Sequence, residues 1–313
     1  MIKKKIYGNT LKEQLLASAK DRLYNFSLAG GTVRGVIMNG TRMINEMRAN
    51  HELGILETLV LGRAYLGIGL ISTNLKGNDR ISLQIDCSGP IKGLFAEASA
   101  FAEVRGFLKR VPIPVDKPME NFDLSPFFGA GFLEVTRHLQ DAKQPFIGKV
   151  MLKYGNIAKD LANYYLTSEQ IPTAFNLSIH FDKEGNVTGA GGLFLQAMPD
   201  AGDEITAGLE NLISDFPSMG VVFSKESSPE ELIHNVFHKY SPKFLANSRV
   251  EFMCHCNKDW VRSLLTLLPV KEIKDILEKG PFPVELRCHH CNTPYLFSKT
   301  DIRQILGKRF ADN

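Results

Sequence analysis

The sequence predicts an α+β fold in three parts: a core domain of mixed sheet and helix over residues 1–200, a helical linker over 201–247, and a small cysteine-bearing domain over 248–313. Three observations support this division. Short alternating apolar segments with glycine-containing turns occupy the first part, amphipathic helical segments dominate the second, and most of the cysteines lie in the third. Because the turns are frequent, we expect hairpins rather than regular βαβ repeats.

Alternation and turn residues define the strands of the core domain. Arg80–Asp86, with the sequence RISLQID, alternates apolar and polar residues, which is the period of a half-buried strand. The other predicted strands are Thr32–Met38, Val104–Leu108, Phe132–Thr136, Phe175–His180 and Gly192–Ala197. The predicted helices run from a cap at Thr41 to Asn50, over about Gly54–Ser72, and over Asp160–Leu166 ahead of Pro172.

The most apolar stretch, Leu53–Ile71, is long enough to be considered as a membrane span. It contains Glu57 and Arg63, and charges near the centre of a bilayer are costly, so we expect a buried core helix and no membrane partner. The basic start, MIKKKIYGNTLKEQ, has no apolar run behind it, unlike a secretory signal. These features predict a cytoplasmic protein.

Two amphipathic helices are predicted in the linker. The first covers about Asp203–Ser214. The second begins after Ser228, which is a good N-cap because Pro229 follows at the first helical position and Glu231 completes a capping box. Pro242 ends it. Short helices of this kind are marginal alone, so they need a surface to pack on.

Short elements surround the cysteines of the third part. Helices are predicted over Lys258–Leu268, Val270–Glu278 and Thr300–Leu306, and strands over Val284–Arg287 and Tyr295–Phe297. A domain of about 65 residues buries too little apolar surface to be secure alone, so we expect it to need a staple.

The cysteines of this part form two close pairs, CHC at 254–256 and CHHC at 288–291. Cys-x-x-Cys lets two sulfurs reach one ion from a tight turn, and Cys-x-Cys does so from an extended segment. The predicted ligands of a tetrahedral zinc site are Cys254, Cys256, Cys288 and Cys291. Histidines lie within both pairs, so a site of three cysteines and one histidine is the alternative. The third part is therefore predicted to be a zinc-binding domain that holds one Zn²⁺ per chain when reduced.

The same cysteines are suited to a redox role. Zinc keeps thiols deprotonated, and thiolates are the form that oxidants attack. Each pair can form its own disulfide, although closure of Cys254–Cys256 needs the backbone to rearrange, and disulfide formation excludes the metal. Structural zinc contributes about 10–16 kcal/mol in small peptides and a whole domain is stable by about 5–15 kcal/mol, so metal loss is expected to unfold this domain. A zinc that only staples the domain is the simpler alternative.

Cys87 stands apart from the other cysteines, at the end of the predicted strand Arg80–Asp86. We interpret it as a small residue at a strand end, with a stray oxidisable thiol as the alternative. It is not included in the predicted metal site.

Longer stretches around these motifs resemble the heat-shock protein 33 family. VEFMCHCNKDWVRSLLTLL, followed by KEIKDILEKG and VELRCHHCNTPYLFSKTDI, resembles the zinc domain of that family. TVRGVIM, ISLQIDCSGPIKG, AEVRGF, YYLTSEQIPT and GAGGLFLQAMP resemble its core domain. The resemblance extends over most of the chain.

The resemblance implies a redox-regulated, ATP-independent holdase, not an enzyme, that protects unfolding proteins during oxidative stress and keeps them available for refolding. In that family the reduced, zinc-bound form is inactive. Peroxide with heat, or hypochlorous acid, is expected to form the disulfides Cys254–Cys256 and Cys288–Cys291, the latter first, and to release zinc. The redox-labile linker then unfolds, unfolded client proteins bind exposed apolar surface, and the activated chain forms a homodimer.

Two other functions are compatible with the cysteine pattern. The first is a zinc-ribbon module that binds nucleic acid, since residues 248–313 carry 11 Lys and Arg against 8 Asp and Glu. These charges alternate in sign and the whole chain carries only +3, so we do not favour nucleic acid as a partner. The second is a thiol–disulfide oxidoreductase, but such an enzyme needs an exposed Cys-x-x-Cys at a helix start without zinc partners.

Overall fold

The structure is a computed structural model that describes residues 1–8, 10, 13, 20–115, 121–202, 204–205, 207–208, 213, 216–225 and 227–311. Its strands are β1 (Arg22–Leu28), β2 (Val33–Asn39), β3 (Arg80–Cys87), β4 (Gly93–Ser99), β5 (Glu103–Leu108), β6 (Gly131–His138), β7 (Phe146–Met151), β8 (Thr173–Phe181), β9 (Val187–Ala197), β10 (Lys243–Arg249), β11 (Glu251–Phe252), β12 (Val284–Arg287) and β13 (Pro294–Phe297).

The helices connect and cover these strands. They are α1 (Thr41–His51), α2 (Ile55–Ile71), α3 (Ser125–Phe128), α4 (Ile157–Tyr164), α5 (Met219–Ser224), α6 (Pro229–Phe237), α7 (Lys258–Thr266), α8 (Val270–Lys279) and α9 (Lys299–Ala311). Short 3₁₀ turns occur at Ala29–Gly31, Ser72–Asn74 and His238–Tyr240, and α4 continues into a π turn at Tyr165–Glu169.

The strands form two larger sheets and one hairpin. The first sheet has the order β10-β1-β2-β9-β8, and all of its pairs are antiparallel. The second has the order β11-β5-β4-β3-β6-β7, with a parallel pair only between β11 and β5. β12 and β13 form the hairpin that carries the second cysteine pair. The predicted α+β fold with antiparallel pairing is confirmed.

The apolar helix α2 lies between the two sheets. It contacts β4 and β5 of the second sheet and β8 and β9 of the first. Because apolar neighbours surround it, the helix is hydrophobic on all sides, as in a protein core. Among the described residues, Ile55–Asn74 is the segment with the length and composition of a membrane span, and 89% of its most apolar window is buried inside the protein. The expected core helix at Leu53–Ile71 is therefore confirmed.

The linker covers the outer face of the first sheet. Val33 and Ile37 of β2 belong to a second apolar cluster, whereas Val36 between them faces the core around α2. α5 and α6 close the second cluster through Phe223 and Phe237. The linker helices therefore bury an apolar sheet face that would otherwise be open to solvent.

The two predicted linker helices differ in how far the structure describes them. The start of the second is confirmed, since the Ser228 hydroxyl accepts a hydrogen bond from the backbone N–H of Glu231 at 3.4 Å. The first, at about Asp203–Ser214, lies mostly outside the described residues. Ile205 and Ile213 from that segment are described, and both pack against the second apolar cluster.

The cysteine-bearing part shares the main core of the molecule. Phe252 of β11, Val261 of α7 and Phe297 of β13 belong to the same apolar cluster as α2. β11 is joined to β5 of the core, and β10, which spans the expected boundary between residues 247 and 248, is joined to β1. The segment leading to Cys254 is thus anchored in both large sheets.

Some predictions for the core require correction. Thr41 is the first residue of α1 and not its N-cap; the buried carboxylate of Asp21 accepts hydrogen bonds from the backbone N–H groups of Arg42, at 3.1 Å, and Met43, at 2.6 Å. A capping group so distant in sequence leaves no local pattern. The strands β1, β4, β7, β10 and β11 were not predicted. β10 is exposed along its whole length and β11 has only two residues, so neither shows the alternation that marks a half-buried strand.

Candidate metal centre

The structure brings the four C-terminal cysteines together. Their sulfur atoms all lie within 4.8 Å of one another, and all four residues are buried. Sulfurs from different pairs lie close together, 3.8 Å apart for Cys254 and Cys288 and 3.4 Å apart for Cys256 and Cys291. Four thiolates around a tetrahedral ion with metal–sulfur bonds of about 2.3 Å lie about 3.8 Å apart, so the donor set fits a metal ion of this kind.

Local structure fixes each cysteine pair. Cys254 follows β11, and Asn257, directly after Cys256, caps α7 by accepting a hydrogen bond from the backbone N–H of Trp260 at 2.8 Å. In the second pair, the Cys288 carbonyl accepts from the N–H groups of Cys291 and Asn292, which turns the chain between β12 and β13. An extended arm and a tight turn therefore face each other across the site.

Three side chains that are not ligands contact the sulfurs. The Tyr295 hydroxyl donates to the Cys256 carbonyl at 2.9 Å and approaches its sulfur at 3.1 Å. The Thr293 hydroxyl oxygen lies 3.2 Å from the Cys291 sulfur, and an Arg105 guanidinium nitrogen lies 3.8 Å from the Cys254 sulfur. Such contacts orient ligands and balance thiolate charge.

The first residues of the chain also hold the site. The Met1 amino group donates to the carbonyls of Cys254, at 3.2 Å, and Cys256, at 2.9 Å. The Ile2 N–H donates to the Thr293 hydroxyl, and Asn50 of α1 donates to the carbonyls of both Ile2 and Cys291. The sequence shows only a basic cluster at this position, so these contacts were not predicted.

The histidines within the pairs are not part of the cluster. His255 is exposed, and its ring nitrogen lies 2.8 Å from a carboxylate oxygen of Glu103. His289 and His290 contact the ring of Phe107 in β5, and His290 also contacts Phe95. Among the described residues the site consists of four sulfurs, which favours the all-cysteine set over three cysteines and one histidine. The docking role of His290 against the second sheet was missed by sequence reasoning.

The electrostatics of the cluster favour a bound cation. Hydrogen bonds from the other cysteines, Cys256 first, hold the pKa of the Cys254 thiol well below its usual range. Hydrogen bonds with the same group, Cys254 first, raise the pKa of the Cys291 thiol. Sulfurs this close share protons because they cannot all be anions without a compensating positive charge. The four cysteines could therefore hold a metal ion that replaces those protons.

Cys87 is not a member of this cluster. It ends β3 and is half-buried, beside the turn at Ser88 and Gly89. Burial is the main reason that the pKa of its thiol is raised, so it lacks the low pKa of a reactive thiolate.

Comparisons with known proteins agree with the site and the fold. The family described as Hsp33 protein matches residues 21–298. A 33 kDa chaperonin of Ruminiclostridium cellulolyticum is 34% identical over 91% of this chain and 98% of its own length. The corresponding figures for a 33 kDa chaperonin of Thermotoga maritima are 32%, 93% and 99%.

A solved structure shows the same fold. The crystal structure of the 33 kDa chaperonin, a heat shock protein 33 homolog, from Thermotoga maritima superposes with a TM-score of 0.83 at 31% sequence identity. It covers 94% of this chain and all of that one. The family match and these relatives span nearly the whole chain, including the cysteine cluster, and so the chain belongs to the Hsp33 family of chaperones.

Proposed function

We propose that the chain is a redox-regulated, ATP-independent holdase. In the reduced state Cys254, Cys256, Cys288 and Cys291 hold one zinc ion, and the chaperone is inactive. Oxidation forms the disulfides Cys254–Cys256 and Cys288–Cys291 with release of zinc, the linker unfolds, and client proteins bind. The proposed division is a core domain over 1–200, a redox-labile linker over 201–247 and a redox-switch domain over 248–313, with a homodimer formed on activation in the cytoplasm.

The arrangement of the four sulfurs carries this proposal. All four sulfurs lie within 4.8 Å of one another, and Cys254 approaches Cys288 as Cys256 approaches Cys291, so both pairs face one ion-sized space. Disulfides within each pair require the sulfurs to turn away from that space. A sulfur in a disulfide has no charge with which to bind the metal, so metal binding and oxidation compete for the same atoms.

The packing around the cysteines supports the proposal that this part of the chain unfolds when the metal is lost. All four cysteines belong to the apolar core that also contains Val261, Phe297 and Ile302 of the surrounding helices and hairpin. Zinc bound by such a site contributes on the order of 10–16 kcal/mol in small peptides, which is comparable to the stability of a whole domain. Release of the ion therefore removes the main support of the cysteine-bearing part, residues 248–311, which we call the metal lobe.

The linker covers an apolar surface that the proposed switch would expose. α5 and α6 bury an apolar face of the first sheet that includes Phe26, Ile37 and Leu193. The strand β10 spans the end of the linker; it pairs with β1 of this sheet and leads into β11 and the metal lobe. Unfolding of the lobe frees the C-terminal end of the linker, and the exposed apolar face then suits unfolded polypeptide.

One assay tests the proposal. A heat-labile client is warmed with reduced or peroxide-treated protein while a chromophoric chelator counts released zinc. We expect the reduced protein to leave client aggregation unchanged, and the oxidised protein to suppress it with loss of about one zinc ion per chain. The Cys87→Ser variant is the control and should behave like the unchanged chain, since Cys87 lies outside the cluster.

Two results would count against the proposal. Equal holding activity in both redox states would remove the switch, as would zinc that stays bound after activation. The alternative functions have their own signatures. Salt-dependent RNA binding by the reduced protein would favour a nucleic-acid module, and catalytic reduction of insulin would favour an oxidoreductase.

A further inference from the structure

The first four residues of the chain, which we call the N-terminal arm, contact both α1 and the metal lobe. The Ile2 N–H donates at 3.2 Å to the hydroxyl oxygen of Thr293, which directly precedes β13. From α1, the side-chain amide of Asn50 donates to the Ile2 carbonyl at 3.0 Å and accepts from the Lys4 N–H at 2.9 Å. Asn50 and Thr293 are both buried. The arm is therefore held by a helix of the core and by the hairpin that carries the second cysteine pair.

The side chain of Lys3 joins α1 to the strand that leads to the first cysteine pair. Its ammonium nitrogen lies 2.7 Å from a carboxylate oxygen of Glu46 in α1 and 3.5 Å from one of Glu251 in β11. The same nitrogen lies 5.9 Å from the centre of the Phe252 ring. The side chains of Glu46 and Glu251 are only 5% and 15% exposed, so water screens these ion pairs less than it screens pairs on the surface. Lys3 therefore fixes the arm to two elements next to the metal site.

The N-terminal arm acts on both cysteine pairs. The Met1 amino group binds two backbone carbonyls of the first pair. In the second pair, the Thr293 hydroxyl that binds the arm also lies 3.2 Å from the Cys291 sulfur. The arm precedes residues 21–298, the segment that matches the Hsp33 family, so membership of the family does not account for these contacts. They are a property of this chain.

We propose that docking of the N-terminal arm is coupled to metal binding and that Lys3 is the residue that positions the arm. This inference rests on the metal site of the proposed function. The arm and the metal order the same cysteine segments, so each reduces the conformational entropy that the other must remove. Such coupling is reciprocal: loss of the docked arm lowers the affinity for zinc by the same factor by which loss of zinc weakens docking. Release of zinc on oxidation therefore also frees the arm.

The first test measures zinc affinity in the reduced, full-length protein by competition with a chromophoric chelator. Lys3→Gln and Lys5→Gln form a matched pair, since each removes one positive charge from the same basic stretch and Lys5 is exposed. We expect Lys3→Gln to lower the affinity by about fivefold or more and Lys5→Gln to change it by less than about twofold. Lys3→Arg keeps the positive charge and should restore most of the affinity. Equal affinities of Lys3→Gln and Lys5→Gln overturn the inference.

The second test measures docking of the arm in the unchanged protein. A lysine-specific acylating reagent is added to zinc-loaded and to chelated protein under reducing conditions, and tandem mass spectrometry compares the label on Lys3 with that on Lys5. The Lys3 side chain is 22% exposed in its ion pairs, whereas Lys5 is exposed and serves as the internal reference. We expect removal of zinc to raise the labelling rate of Lys3 relative to Lys5 by about fivefold or more. An unchanged ratio contradicts the coupling.

The outcomes separate this inference from the proposed function. If peroxide releases no zinc, the redox switch is wrong, and the affinity and the labelling of chelated protein still decide the coupling. If peroxide releases zinc while Lys3 stays as protected as before, the switch stands and the coupling is excluded. Protection of α2 from hydrogen exchange should be the same in zinc-loaded Lys3→Gln and Lys5→Gln. Weaker protection in Lys3→Gln would assign its lower affinity to a general loss of stability and would overturn the positioning role.

Discussion

At the scale of single residues, the metal site depends on side chains that are not ligands. Tyr295, Thr293 and Arg105 each approach a different sulfur, and Met1 and Asn50 bind carbonyl groups of the cysteines. Each of these contacts fixes a ligand in position before a metal binds. When one of these contacts is removed, the ligand that it held must be ordered by the metal itself, and the affinity for the metal falls.

The hydroxyl of Tyr295 offers a clean test of this support. Tyr295→Phe removes one oxygen, which contacts the carbonyl and sulfur of Cys256, and leaves the buried ring in place. We expect zinc affinity to fall by about tenfold, measured by competition with a chromophoric chelator. Tyr154→Phe, at an exposed tyrosine far from the site, is the control. An affinity unchanged by Tyr295→Phe would show that the hydroxyl does not support the ligand.

The buried carboxyl group of Asp21 should make the free energy of unfolding depend on pH. Its carboxyl group is buried beneath α1, and desolvation raises its pKa from 3.8 to about 7, even though the backbone N–H groups of Arg42 and Met43 favour the anion. Below about pH 4 the group is protonated in both folded and unfolded states. As the pH rises towards 7 the unfolded state loses its proton first, so stability falls, by roughly 4 kcal/mol at full effect.

Denaturation at several pH values measures this effect. In the unchanged, zinc-loaded protein we expect the free energy of unfolding to fall between about pH 4 and pH 7. Asp21→Asn removes the titrating group and should abolish this slope. The exposed Asp141 supplies the matched substitution, Asp141→Asn, which should keep the slope. A slope that persists in Asp21→Asn would assign it to another group.

At the scale of elements, the linker helix α6 is held by one face. Ile233 and Phe237 are buried against the first sheet, where Phe237 contacts the rings of Phe26 and Phe216, while His234 points to solvent. A nine-residue helix has little stability of its own. Its folded state therefore depends on this apolar contact, which is consistent with the proposed unfolding of the linker on oxidation.

Removal of the buried ring of Phe237 should destabilise the linker helix α6 without changing metal binding. Phe237→Ala is expected to cost about 3–5 kcal/mol of packing energy, while His234→Ala, on the exposed face of the same helix, should be nearly neutral. Hydrogen exchange of residues 219–237 in the reduced protein measures the difference, and zinc content should stay the same in both variants. Equal protection in the two variants would show that α6 is held by other contacts.

At the scale of the whole molecule, one apolar core joins the sheets to the metal lobe. The cluster around α2 continues through Phe252 to the cysteines and on to Ile305 of α9. β11 adds the lobe to the edge of the second sheet, and the Gly106 N–H of β5 donates to the His290 carbonyl at 3.2 Å. The metal lobe is therefore docked on the core domain, and unfolding of the lobe would expose the β5 edge of the second sheet.

Removal of the metal should unfold the lobe and leave the sheets folded. We expect chelation of zinc from the reduced protein to abolish exchange protection in residues 258–311, because the lobe loses about 10–16 kcal/mol of support, while α2 stays protected between its sheets. Addition of zinc to the chelated sample should restore the protection. A metal-free lobe that stays protected would contradict the proposed switch at its first step.

The sequence by itself determined the parts whose signals are local. Alternation marked β3, the apolar run marked α2, and the capping box marked α6. The spacing of two cysteine pairs marked the four cysteines that the structure brings together. Each of these signals depends on residues close together in the chain. The resemblance to the heat-shock protein 33 family indicated the family, which no periodicity reveals, and led to the proposed function.

The tertiary structure decided which contacts form between segments that are distant in the sequence. Four such contacts join residues far apart in the sequence. Asp21 caps α1, and the exposed strand β10 pairs with β1. Met1 binds the backbone of the cysteines, and His290 docks on Phe107. No local pattern records such contacts, since their energy comes from surfaces that meet only after the chain has folded.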